Sequence, residues 1–224
     1  MNFNIKPKIY LTNIFLIDWD DTLFPSTWIN NNKINLQDEN SINEYKLYFV
    51  DLDKAVSNFL SILSKVGDVY IVTNASLNWI KTCLNILQLT SKSIILNKIR
   101  VISARDLYSN STNSIIEWKV QTFKNIIIEN LNKINNIRPN TYLNIFSLGD
   151  AKYEYIALLN LNNFLQDNQK VKENIKNNNF NFLLKSIKFV EDPTFEYIID
   201  ELRVIENNKD SIINSLEYID LKFT

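Results

Sequence analysis

Apolar runs of strand length alternate with apolar residues at helical spacing along most of the chain. Ile14-Phe15-Leu16-Ile17 is four apolar residues in a row, the pattern of a strand buried on both faces, and it stops abruptly at Asp18. From Asp51, the residues Leu52, Val56, Phe59, Leu60 and Leu63 recur at helical spacing, with Gly67 placed to end the helix. Val69 to Val72 predicts a second buried strand with a polar tip at Thr73-Asn74. Ser76 through Leu89 predicts a helix with Trp79, Cys83, Ile86 and Leu87 as its inner stripe, and Ile99 to Ile102 a short third strand. After a polar loop at Ser111 to Ser114, Ile116, Val120, Phe123, Ile127 and Leu131 mark one face of a strongly amphipathic helix, with Lys119 near its start. Pro139-Asn140 turns the chain into a fourth strand, Tyr142 to Leu148, ending at Gly149-Asp150. Ala151 to Leu165 reads as helix, Gln166 to Asn181 as a polar, mobile stretch, and Ile187 to Val190 as a last strand. Asp192-Pro193 suits the N-cap and first turn of a helix bearing Phe195, Ile198, Ile199 and Leu202. Strands alternating with helices predict an α/β fold with a mostly parallel sheet and right-handed crossovers.

Composition narrows the chemistry. A chain of 224 residues predicts one domain, residues 1–224, with at most a small insert at about 25–50. The 24 basic and 25 acidic side chains nearly cancel, so no basic footprint for nucleic acid is expected. The first ten residues lack an apolar targeting core, and no apolar run approaches the ~20 residues of a membrane helix. Together with a lone cysteine, Cys83, this predicts a cytoplasmic protein with no membrane partner. The sequence contains no histidine, which removes imidazole catalysis and histidine zinc sites, and only two glycines, Gly67 and Gly149, which removes glycine-rich nucleotide loops. Asparagine tracts at 30–32 and 177–179 read as exposed loops.

Carboxylates, lysine and hydroxyls must therefore carry any reaction. Side chains two apart on a strand share a face, so Asp18 and Asp20 gather at the carboxyl end of the first strand, where ligands of open parallel sheets collect. Two such acids repel unless a proton or cation joins them, and a hard divalent ion, Mg2+ above all, suits oxygen donors. Three further pieces carry polar groups at strand ends or a helix start: Thr73-Asn74, Lys119, and Gly149-Asp150 with Glu154. Alone, each has an ordinary reading: a β-branched strand end, a solvated lysine, a surface glutamate.

The order of these pieces resembles the haloacid dehalogenase (HAD) superfamily in its phosphatase branch. The resemblance spans Asp18 to Glu154: an apolar strand closing in D-x-D-x-T, a strand closed by Thr73, a lysine heading a helix, and G-D-x-x-x-E at the fourth strand. It implies a Rossmann-like three-layer sandwich, with Asp18 as nucleophile, Asp20 as general acid and base, and Thr73, Asn74 and Lys119 on the phosphate. It also implies Mg2+ held by Asp18, Asp20 through its backbone carbonyl, and Asp150, with Glu154 as a more distant acceptor. Asp21 has no such role and reads as a turn residue. The spacing between signatures leaves about 25 residues of insert, too few for a capping domain with its own core, although Trp28 and its neighbours could form a small flap. A minimal cap implies a phosphoprotein or another bulky phosphoester as substrate. Two other readings are a catalytically inactive Mg2+- and phosphate-binding module that works through a partner, and a DxD glycosyltransferase. The second leaves Thr73, Lys119 and Gly149-Asp150 without a common explanation.

Overall fold

The computed structural model describes residues 8–133, 140–169, 171–173 and 180–224. Its centre is a sheet of six parallel strands: β1 (Tyr10–Ile17), β2 (Asp68–Thr73), β3 (Arg100–Ser103), β4 (Thr141–Gly149), β5 (Asn181–Lys188) and β6 (Ile219–Lys222), in the order β3-β2-β1-β4-β5-β6. The chain winds outward from β1 through β2 to β3, then returns to the other side of β1 for β4, β5 and β6. The switch in direction therefore falls between β1 and β4, which pair over eight residues from Tyr10↔Thr141 to Ile17↔Leu148. Doubly wound sheets of this order open a crevice at that point, beyond the carboxyl ends of the strands.

Alternation within each strand feeds two separate cores. Phe15, Ile17, Val69, Ile71, Phe146 and Leu148 pack on one face against α3 (Lys46–Ser64), α4 (Leu77–Ile86), α5 (Gln88–Leu96) and α9 (Phe195–Asn214). Ile14, Leu16, Tyr70, Val72, Leu143 and Ile145 pack on the other against α6 (Ala104–Tyr108), α7 (Ile115–Lys133) and α8 (Lys152–Asp167). The result is a Rossmann-like α/β fold with helices on both faces, as the strand and helix alternation predicts. No helix among the described residues is long and apolar enough to cross a membrane.

Several boundaries differ from the sequence reading, each for a physical reason. The small insert at about 25–50, whose asparagine tract at 30–32 reads as an exposed loop, holds two short helices, α1 (Ser26–Asn31) and α2 (Glu39–Glu44), the second capped by the Asp38 carboxylate on the Asn40 N–H. The helix read from Asp51 starts at Lys46. The single helix read from Ser76 to Leu89 breaks at Leu87, where Asp53 of α3 accepts the backbone N–H groups of Leu89 (2.9 Å) and Thr90 (2.8 Å) and so starts α5. The strand read at Ile187 to Val190 lies earlier in the chain: β5 runs Asn181–Lys188, and its Lys185 is buried. That ammonium donates to the carbonyls of Ile212 (2.6 Å), Ile213 (3.0 Å) and Ser215 (2.8 Å), closing the carboxyl end of α9. The cap of α9 is Thr194, whose hydroxyl accepts from the Tyr197 N–H, while Asp192 adopts a left-handed backbone before it. β6 escaped the sequence reading altogether. Pro139 and much of the stretch from Gln166, namely 170 and 174–179, lie outside the described residues, but Val171 and Phe180 within that stretch are buried.

Candidate active site

The chain leaves β1 through a tight turn hung on one carbonyl. The Trp19 oxygen accepts the N–H groups of Leu23 (2.9 Å) and Phe24 (3.0 Å), and more weakly of Thr22, while Asp21 takes a left-handed backbone. This turn keeps Asp18, Asp20 and Asp21 at the strand mouth, and the Asp18 N–H bonds to the Leu148 carbonyl (2.9 Å), tying the ends of β1 and β4 together. Asp18, Asp20, Asn74 and Asp150 all line a cleft of about 610 Å³ at the switch point, together with Ser26, Thr27, Asn30, Trp79, Ile115 and Tyr153. Four residues singled out in the sequence are thus brought to one cavity.

Thr73 and Lys119 stand behind this wall. Lys119 shares the buried face of α7 with Phe123 and Ile126, one and two turns on, so its side chain runs under the sheet end and is 1% exposed. Its ammonium lies 2.8 Å from Asp18 Oδ2 and bonds Glu154 Oε1 on the other side. Burial alone would lower the pKa of such a lysine, but Asp18 and Glu154 outweigh it and hold the ammonium above its ordinary value. Asp18 is pushed well up from the usual carboxylate range by burial, with Glu154 and Asp20 adding to the rise and Lys119 opposing it. The second Asp18 oxygen accepts the Trp19 N–H at 2.8 Å. Thr73 is fully buried; its hydroxyl accepts the Ala75 N–H (2.9 Å) and donates to Asp20 Oδ2 (3.2 Å). In this geometry Thr73 orients Asp20 and does not face the cleft.

Asp20 has two further donors that periodicity did not reveal. The Trp79 indole N–H reaches Oδ1 at 2.7 Å, and the Ser26 hydroxyl bonds the same oxygen. Trp79 belongs to the inner stripe of α4, as expected, but its polar end serves the site; Ser26 follows a proline break that reads only as a turn. Asp21, read as a turn residue, binds the backbone N–H (2.9 Å) and hydroxyl of Thr27 and so anchors α1 to the mouth. Asn74 donates to the Ile115 carbonyl at 3.3 Å.

Glu154 is neither exposed nor peripheral: it is 3% exposed, and its Oε2 has no hydrogen-bond partner. It reaches Lys119 because Gly149 makes room. A Cβ at 149 would lie 2.3 Å from Glu154 Cγ and 2.6 Å from its Cδ. The glycine serves this close approach, not a left-handed turn, since no glycine has positive φ. Asp150 bonds Thr22 through its N–H (3.2 Å), and its carboxyl is pushed up to about 7 by burial, with Glu154 and Asp21 adding to the rise and Lys119 opposing it. Asp18 and Glu154 thus flank one ammonium, with Asp150 at the same strand mouth, and a cation there would favour the ionised forms of Asp18 and Asp150 that burial opposes. Among the described residues no three acidic, His or Cys side chains converge as a ready-made metal cage. A cation here would rest on the Asp18 and Asp150 carboxylates and on backbone oxygen, since the Asp20 carboxylate is engaged by Ser26, Thr73 and Trp79.

Comparison with protein-family models, with curated proteins and with solved structures finds no match to this chain.

Proposed function

We propose that the chain is a Mg2+-dependent phosphatase of the HAD type with a minimal cap, hydrolysing a phosphomonoester through an aspartyl phosphate on Asp18. The observation that carries this reading is Lys119, an ammonium buried between Asp18 and Glu154 at the end of the central strand. Burial pushes the pKa of the Asp18 carboxyl well up, and a protonated carboxyl is not a nucleophile; Lys119 opposes that rise and favours the ionised form.

Mg2+ fits the donors present, because it is commonly held by one or two carboxylates with water and phosphate completing its shell. Asp18, Asp150 and the Asp20 carbonyl would hold it, and when bound it supplies positive charge to the phosphate and the buried acids. Asp18 attacks phosphorus as the bond to the leaving oxygen breaks, and that oxygen takes its proton from Asp20. Asp20 then removes a proton from water, whose oxygen attacks the same phosphorus. The bond to Asp18 breaks, which regenerates the carboxylate and releases inorganic phosphate. Ser26, Thr73 and Trp79 position Asp20 for both transfers, a supporting shell that separates the tasks of two neighbouring acids.

What surrounds the cleft supports one substrate class over another. α1 contributes Ser26, Thr27 and Asn30 to one wall, but Trp28 packs edge-on against Tyr45 and Phe195 and does not line the cavity. A phosphoprotein or another bulky phosphoester suits such a site better than a small metabolite that must be enclosed. Release of phosphate from p-nitrophenyl phosphate with and without Mg2+ tests the activity, and a panel of phosphopeptides against sugar phosphates and nucleotides tests the class. Mg2+-dependent turnover with the highest kcat/KM on phosphopeptides is expected. Mg2+ binding without phosphate release would instead favour the inactive binding module.

A further inference from the structure

The sheet ends in β6, and nothing among the described residues pairs with its outer edge. Open edges template further strand pairing, so proteins blunt them with proline, bulges, isolated charges or a covering helix. Among the described residues, no proline, bulge or covering helix blunts β6. Ile219 to Lys222 continue in regular register with Lys185 to Lys188 of β5, and the one lysine on the edge is paired with Asp220 at 3.4 Å. Apolar side chains rim the strand on both sides. Leu221 and Phe223 line one shallow cavity with Val204 on the α9 face, and Tyr218 lines another with Tyr155 and Leu159 on the α8 face. Tyr218 is 60% exposed, Val204 47% and Leu221 43%.

We propose that this edge binds a second copy of the chain, β6 pairing with β6 antiparallel about a two-fold axis through Leu221, so that one sheet runs through both protomers. The backbone sets the possible registers. Phe223 donates its N–H inward to Lys188, and bonding directions alternate along a strand, so Leu221 also faces β5 while Asp220 and Lys222 turn their backbone groups outward. A symmetric antiparallel pair must match outward groups with outward groups, which leaves axes at 220, 221 or 222. An axis at 220 or 222 sets like charges opposite each other. An axis at Leu221 sets Asp220 opposite Lys222 twice, on one face, and Leu221 against Leu221 on the other. The strand is thus complementary to itself in both charge and apolar surface, as an isologous interface requires.

Sedimentation velocity of the full chain at tens of micromolar tests this, with charge variants and a register probe. The wild type sediments as a dimer. D220K and K222D each place two like-charge pairs across the axis and weaken association by at least about tenfold, whereas the double variant D220K/K222D restores it, which also shows that the chain still folds. L221C forms a symmetric disulfide under mild oxidation, because residues facing each other in a non-hydrogen-bonded antiparallel pair have Cα atoms about 4.5 Å apart, within disulfide range. Cys83 is buried and does not compete. A wild-type monomer whose L221C thiol stays free overturns the proposal. So does a dimer that is indifferent to D220K and K222D and not trapped through L221C.

Discussion

Replacing Lys119 by Met removes the cation around which the site is built while keeping a side chain of similar length. In the wild type, the Lys119 ammonium is 1% exposed, with Asp18 at 2.8 Å and the 3%-exposed Glu154 on its other side. Breaking a buried pair by deleting one partner typically costs 3–5 kcal/mol, because the survivors are left as uncompensated buried charges. Asp18 touches the cleft and keeps some solvation, so the lower end applies, about 3 kcal/mol at neutral pH. For a chain of this size that is a fall in Tm of roughly 6–12 °C. The loss also depends on pH. Burial already raises the folded pKa of Asp18 against the opposition of Lys119, and without that ammonium it rises further above its unfolded value near 4, so the contribution of the protonated Asp18 is complete below about pH 4 and lost as pH rises through the folded value. The deficit of K119M should therefore be small near pH 5 and full at pH 8. Urea unfolding of metal-free protein at both pH values measures it. Adding E154Q to K119M removes one buried charge and should recover about half of the loss at the higher pH. A K119M variant as stable as wild type at both pH values, or with a deficit independent of pH, would refute the claim that two buried carboxylates depend on this ammonium.

Other perturbations separate the roles of the remaining residues. Asp18→Asn should keep the fold, since the neutral amide suits a site where burial already raises the Asp18 carboxyl; phosphate release should fall at least about a thousandfold in a p-nitrophenyl phosphate assay. Asp150→Asn should raise the Mg2+ concentration giving half-maximal rate, read from a metal titration, with a smaller effect on the rate at saturation. Gly149→Ala drives a methyl group into Glu154, 2.3 Å from its Cγ, and should cost about 1–3 kcal/mol by urea unfolding together with activity, because Glu154 must leave Lys119. Burial lowers the Lys185 pKa to about 8. Its contribution to stability is therefore complete above the unfolded lysine value and lost as pH falls through about 8, so the difference between wild type and Lys185→Met should change across pH 7 to 10. A constant difference would place the Lys185 charge outside the folding equilibrium.

The central strands and the acids at their ends were legible because burial on both faces leaves an uninterrupted apolar run, and its end is a change of chemistry within one residue. Asp18, Asp20, Thr73 and Asp150 could be placed from that change alone. What escaped depends on partners distant in sequence. Asp53 begins α5 from 35 residues before Gln88, so the stripe from Trp79 to Leu87 gives no sign of a break. Lys185 interrupts the apolar pattern of β5 because it serves as the cap of α9, and a charged residue at that point mimics a strand boundary. β6 sits half-exposed at the sheet edge and shows neither an apolar run nor a clean helical period. Glu154 resembles any surface glutamate until Gly149 is seen to clear its path. Ser26 and Trp79 reach Asp20 only through the fold of the mouth turn and the start of α4. Two-body local rules carry no signal for such contacts.

Trapping the covalent intermediate tests the account most directly. An acyl phosphate on an aspartate is reduced by borohydride to homoserine, so the protein is mixed with p-nitrophenyl phosphate and Mg2+, quenched during turnover, reduced and mapped by mass spectrometry. The account predicts homoserine at position 18 and at no other acid of the cleft, with Asp20, Asp21 and Asp150 unmodified. Turnover without modification at Asp18, modification at another carboxylate, or no Mg2+-dependent phosphate release at all would contradict it.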